Sequence, residues 1–190
     1  DLIDNHLGER SRILKMKNYY NGLNDGIKNR VYSDNNKPSN RLYSAYPSYI
    51  TDNFVGYILG QPVTYKSDNE ELLEKLNLNF LYNDEVDNNT TLAQEQSICG
   101  YAYELMYTDE DGNVRFKCVD TEDMIVVYEN TLEEKELFAI RYVTDSEEKG
   151  IVYVYTKDKV EAYAIDNNKL GNIIEEECQD NFFVDVPVIT

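Results

Sequence analysis

Three features of the sequence predict an α+β fold. Over residues 1–100, apolar side chains recur three and four positions apart, the period of a helix with one buried face. Beyond Gly100 the period falls to two, as in strands whose alternate residues face a core. Turn chemistry such as Asp111-Gly112 then punctuates the second half at short intervals. Helices first and strands after is the order of an α+β architecture, with N-terminal helices packed on a C-terminal antiparallel β-meander. The organisation expected is one domain over residues 1–190, mainly helical over 1–100 and mainly β over 101–190.

The helical half can be justified stretch by stretch. Asp1 to Asn21 is predicted as a helix, because Ile3, Leu7, Ile13, Met16 and Tyr20 sit at helical spacings between charged residues. Gly22 to Asn40 is rich in Asn, Asp, Gly, Ser and Lys, too polar to order itself strongly, and is predicted as a mobile loop. Its glycines match neither phosphate-binding spacing, G-x-G-x-x-G nor G-x-x-x-x-G-K-[ST]. Arg41 to Thr64 is predicted as the central helix. Pro47 suits its first position, and Ile50, Phe54, Tyr57 and Ile58 make a stripe expected to be buried. Gly60 is expected to end it in the left-handed conformation, and Pro62 to prevent continuation. Val63, Thr64 and Tyr65 then read as a short strand.

Ser67 and Glu70 form a capping-box pattern ahead of Leu72, Leu73, Leu76 and Phe80, predicting a short amphipathic helix. Another is expected from about Asp87 to Ile98, opened by Asn88, Asn89 or Thr90 and closed by Gly100. Its Leu92, Ala93, Gln96 and Cys99 give a small-residue face suited to close packing. In the β half, Tyr101, Tyr103, Leu105 and Tyr107 share one strand face, and Val114, Phe116 and Cys118 another. Further strands are predicted at Met124–Tyr128, Leu137–Val143, Ile151–Thr156, Val160–Ile165 and Lys169–Glu175. Lys157–Lys159 and Asp166–Asn168 supply tight turns.

Acidic residues number 36 against 18 basic, a net charge of -18. That argues against general DNA binding, which relies on Lys and Arg neutralising phosphates, but not against a surface that DNA passes without sticking. The 17 tyrosines and absent tryptophan fit half-buried aromatic positions on strands. Cys99, Cys118 and Cys178 form no C-x-x-C pair, and His6 is the sole histidine, so the spacing offers no plausible zinc site; reduced thiols are expected. No apolar run approaches the roughly 18 residues of a membrane span, and no signal peptide is visible. The chain starts inside a charged helical pattern and stops just after an apolar run, as an excised piece of something longer would.

Candidate chemistry is sparse. Asp109 to Asn113 resembles the start of a calcium loop, but Val114 stands where the loop's glycine belongs and Asp120 where its bidentate glutamate belongs. A hairpin turn is the better reading. Glu104 with Asp120, Glu122 and Asp123 forms a carboxylate set of the kind that holds Mg²⁺ in nucleases, with Lys117 the nearest supporting base. Among so many acidic residues such proximity arises by chance, and Thr121 with its neighbours reads more simply as a capped turn. His6 is expected at a solvated surface, since no serine or cysteine is placed to need it. No catalytic, cofactor-binding or metal residue is therefore assigned. A binding or assembly module is the reading from residues alone; a metal-dependent nuclease or a generic acidic protein-interaction module are the alternatives.

One block carries more. Residues Tyr49 to Tyr65, with Tyr49-Ile50, Gly56-Tyr57, Gly60, Pro62 and Tyr65, resemble a block of tailed-bacteriophage portal proteins of the siphophage type. Tyr19-Tyr20-Asn21-Gly22 upstream, and Ser97-Ile98-x-Gly100-x-Ala102-Tyr103-Glu104-Leu105 downstream, resemble further blocks of that family in the same order. Val186-Pro187-Val188-Ile189 resembles the segment before its stem. The resemblance implies a structural, non-enzymatic subunit of a ring of about a dozen copies at one capsid vertex, through which DNA is packaged and ejected. It implies that this stretch is the wing, with stem, clip and most of the crown lying after Thr190. Partners implied are further copies of the chain, capsid and scaffolding proteins, and passing phage DNA without sequence-specific contact. Terminase and head-completion proteins would dock on regions absent here. No cofactor or membrane is implied; the location would be the virion, after assembly in the host cytoplasm. On this reading Ile50, Phe54, Tyr57 and Ile58 are core, Gly56 and Gly60 allow close packing and a helix end, and Pro62 fixes the following turn.

Overall fold

A computed structural model describes residues 2–31, 38, 40–144, 149–166 and 169–190. The helical half begins with α1 (Leu2–Tyr20), whose Ile13 is fully buried against the rest of the fold. The expected loop after it holds a short helix, α2 (Asp25–Lys28), capped by Asn24, whose side chain accepts from the Ile27 N–H. Residues 32–37 and 39 of that loop lie outside the described residues. Then come α3 (Tyr46–Leu59), α4 (Glu70–Tyr82) and α5 (Glu85–Cys99). Helix α3 lies against α5 and α1, and α1 also meets the 3-10 turn Thr121–Asp123.

The buried side of α3 is not the predicted one. Ile50, Phe54, Tyr57 and Ile58 face outward, Tyr57 being 92% exposed, while Thr51 and Val55 are buried. The helix is apolar on both sides, so periodicity alone does not choose between them. Small side chains win the inner face because they let α3 approach α5, where the Ser97 hydroxyl donates to Thr51 Oγ1 at 3.3 Å. Gly56 has open space around it, so it serves no close packing. Gly60 ends the helix in the right-handed region (φ -63°), not the left-handed one. Its need for glycine is steric, since a Cβ there would meet the Gly56 carbonyl oxygen at 2.4 Å. Pro47 lies in the first turn, at the second helical position rather than the expected first, because the helix begins at Tyr46.

Other boundaries shift for local reasons. Val63 to Tyr65 form no strand; Tyr65 is held by its side chain, its hydroxyl donating to Glu85 at 2.6 Å and its ring packing on Phe80. Asn69, not Ser67, caps α4, accepting from the Leu72 N–H at 3.1 Å, because the Ser67 hydroxyl already accepts from the Asn69 N–H. Helix α5 starts before its predicted caps, at Glu85. Thr90 instead bonds back to the Val86 carbonyl, and Asn89 bonds to Glu85. Gly100 closes α5 at φ 95°, a conformation that favours glycine.

The β half matches the expected strands closely: β1 (Tyr103–Thr108), β2 (Val114–Val119), β3 (Met124–Tyr128), β4 (Glu136–Thr144), β5 (Lys149–Tyr155), β6 (Lys159–Asp166) and β7 (Lys169–Ile173). Two short strands complete it, β8 (Gln179–Asp180) and β9 (Val188–Ile189). They divide into two sheets rather than one meander. One has the order β2-β1-β9, the other runs β3-β4-β5-β6-β7 with β8 also on β6, and every pairing is antiparallel. The core lies between the sheets, where Tyr103, Leu105, Val119 and Val188 meet Met124, Ala139, Tyr155 and Val160. Helix α5 packs on β2, so the helices reach the sheets chiefly through the smaller one. The fold is α+β, helices before strands.

Candidate functional site: a charged joint between helices and sheets

The last turn of α1 carries Lys17 into a pocket of three carboxylates. Its ammonium lies 3.0 Å from Glu95 of α5, 2.6 Å from Glu122 and 3.3 Å from Asp120, the last two from the turn between β2 and β3. The carboxylate oxygens lie within 4.8 Å of one another, close enough to share a cation. Left alone, three such charges repel strongly; the single ammonium between them offsets part of that repulsion and leaves the group net negative. The Lys17 side chain is only 16% exposed. Burial alone would lower its pKa, but the hydrogen bonds and charges of Glu122 and Glu95 hold it well above the ordinary lysine value. Lys17 is therefore charged throughout the physiological range, and it stands where a divalent ion would.

Neighbouring contacts tie the same corner together. Arg10 pairs with Asp123 at 3.3 Å. The His6 Nε2–H donates to the Glu122 carbonyl at 2.9 Å, and its ring stacks on Tyr142. His6 is thus half-buried and partnered rather than solvated. The buried Thr121 hydroxyl donates to Glu95 at 2.9 Å. Every one of these bonds joins a helix to the β2–β3 corner or its sheet.

A second polar set seals the outer edge of β2. Asn83 Oδ1 accepts from the Phe116 N–H at 3.2 Å and Asn88 Oδ1 from the Cys118 N–H at 2.6 Å. Asn79 and Asn83 donate to the Val114 carbonyl, each at 3.1 Å. Helix side chains thereby occupy backbone groups that an edge strand would leave open to another chain. Asn88 also donates to Glu104 at 2.6 Å. Burial raises the pKa of Glu104, against the effect of the Asn88 bond and with a further push from the Glu85 charge.

The carboxylates singled out in the sequence thus separate. Asp120 and Glu122 converge, but on Lys17 and Glu95; Asp123 turns to Arg10, and Glu104 to Asn88. Lys117 lines the wall of a cleft. Asp109 closes the β1–β2 hairpin, accepting from the Asp111 and Asn113 N–H groups, with Gly112 at φ 79°, so this is a turn and not an ion loop. The cysteines are free thiols. Burial pushes Cys99 up to about 11 and Cys118 to about 12, which keeps both protonated and poorly nucleophilic at neutral pH. Sequence reasoning missed Lys17 and Glu95, because their partnership spans the chain and has no local motif.

A cleft of about 760 Å³ opens between the two sheets, with Lys117, Arg141, Tyr153, Tyr155, Glu177 and Cys178 among its walls. Its lining carries charges of both signs, and the converging Lys17 group touches it only through Glu95 and Asp120. The polar groups of these sites fasten the helices to the sheets of an α+β module.

The comparisons with known proteins name that module. The chain belongs to the family described as phage portal protein, SPP1 Gp6-like, whose model matches residues 1–190. It is 35% identical over 173 residues to the portal protein of Bacillus phage SPP1, a match covering 85% of this chain and 33% of that protein. It is 27% identical over 214 residues to the portal protein of Clostridium phage phiCD119, covering 99% of this chain and 47% of that one. The chain therefore spans between a third and a half of these relatives. The resemblance read from the Tyr49–Tyr65 block and its companions is to this same family.

Proposed function

We propose that residues 1–190 form the wing of a portal subunit, a structural and non-enzymatic part of the ring through which phage DNA enters and leaves the capsid. The match of the whole chain to the portal family carries this reading. The domain division expected from the sequence goes with it: one α+β unit, helical over 1–100 and β over 101–190. Its partners are further copies of the same chain, together with capsid and scaffolding proteins. Terminase and head-completion proteins engage other parts of the subunit. Assembly takes place in the host cytoplasm, and the finished ring stays in the virion.

The net charge of -18 supports a conduit role, because a surface poor in fixed positive charge does not trap DNA moving past it. The nuclease alternative is weakened by Lys17, whose ammonium occupies the position between the converging carboxylates. Removing the gene from the phage that encodes it tests the proposal. Capsids without packaged DNA are the expected product; DNA-filled heads formed without the protein would contradict it.

A further inference from the structure

Helix α1 meets the rest of the fold along one side. His6, Arg10, Ile13, Lys17 and Tyr20 recur four, three, four and three residues apart, which sets them in a row on a helix. Among residues 6–20, Ile13 alone is buried, and none of them belongs to the apolar core between the sheets. The rest of the row is polar or cationic. Arg10 meets Asp123, and Lys17 meets Glu95, Asp120 and Glu122. His6 donates to the Glu122 carbonyl, and the Tyr20 hydroxyl donates to Asp52 at 2.8 Å while accepting from Gln94 at 2.7 Å. One buried apolar side chain and a row of charged and polar bonds thus hold this helix in place.

Charge divides the chain at the same place. Residues 1–20 carry four basic and three acidic side chains, whereas residues 21–190 carry 14 basic and 33 acidic ones. A segment of net charge +1 therefore lies on a body of -19. Salt acts on the two with opposite sign. Self-repulsion within the acidic body weakens as salt is added, which favours its compact state. Attraction between α1 and the body weakens as well, which favours separation, because the parted ions stand fully in water where salt stabilises them. Between 0.1 M and 1 M salt the screening length falls from about 10 Å to about 3 Å. We propose that α1 is an ionic strap. As ionic strength rises it lifts off the body as one piece, uncovering Glu95, Asp120, Glu122 and Asp123 while the sheets stay folded. This holds independently of the portal reading.

The test is hydrogen exchange of the full-length protein, followed by mass spectrometry at one pH in about 0.1 M and about 1 M NaCl. An isolated helix of this length is marginal in water, so a lifted α1 frays and its amides exchange. Peptides from residues 6–20 should exchange roughly fivefold faster in the higher salt, while those from β4, β5 and β6 exchange no faster than before. Exchange in 6–20 that salt leaves unchanged or slows would overturn the proposal. Two variants separate charge from packing. Arg10→Gln with Lys17→Gln should exchange fast over 6–20 in both salts, with its sheets as protected as in the wild type. Ile13→Val should exchange faster than the wild type in both salts and keep the wild-type ratio between them. A charge variant that keeps that ratio, or an Ile13→Val variant that loses it, would also overturn the proposal.

Discussion

Lys17 shows how much of this fold depends on one side chain. Its ammonium holds Glu95, Asp120 and Glu122 together, and through them α1, α5 and the β2–β3 corner. Lys17→Met leaves three carboxylates facing one another with no counter-charge. The expected cost is about 3 kcal/mol, the lower end for orphaning one side of a buried ion pair, because Asp120 is largely exposed. Urea denaturation measures it, and a loss within error of zero would show that the contact is incidental. Glu104 offers a test of opposite sign. Burial raises its pKa, so the folded protein holds the proton more tightly than the unfolded chain. Stability from this group is therefore gained as pH falls through the range just above the ordinary glutamate value. Glu104→Gln, neutral at every pH, should exceed the wild type in stability near neutrality, with the advantage shrinking as pH falls to about 4. An advantage that does not change with pH contradicts this account.

Helices and strands were readable to different depths. The strands of the β half lie where alternation and turn residues place them, because a two-residue period and an Asp-Gly turn leave few registers open. The inward face of α3 was not readable, since a helix apolar on both sides gives no sequence signal for which side its neighbours cover. Caps failed for a related reason. Asn88 and Thr90 look like helix starts by composition, but the first serves the edge of β2 and the second bonds back within α5. No local rule separates these uses of one residue type. Asn88 therefore makes the sharper prediction. Asn88→Ala leaves the Cys118 N–H and Glu104 without their partner and should cost about 1–3 kcal/mol. Hydrogen exchange at the Cys118 amide should accelerate by more than its β1-facing neighbours; unchanged exchange there would mean that the asparagine does not guard the edge.

For the molecule as a whole, the sequence conveyed the fold class, while the split of the β half into two sheets came from long-range pairing. β9 closes the smaller sheet from the far end of the chain, placing Val188 opposite Leu105. Nothing near either residue announces that contact. The Lys17 group escaped the sequence for the same reason. The family blocks survived because they are local, and the whole-chain portal match agrees with them. On the portal reading, copies of this protein close into a ring. Solution mass and negative-stain electron microscopy of the full-length protein test it most directly. Closed rings with a central hole, at a fixed multiple of the monomer mass, are the predicted result. A monomer or an open-ended polymer at every concentration would contradict it.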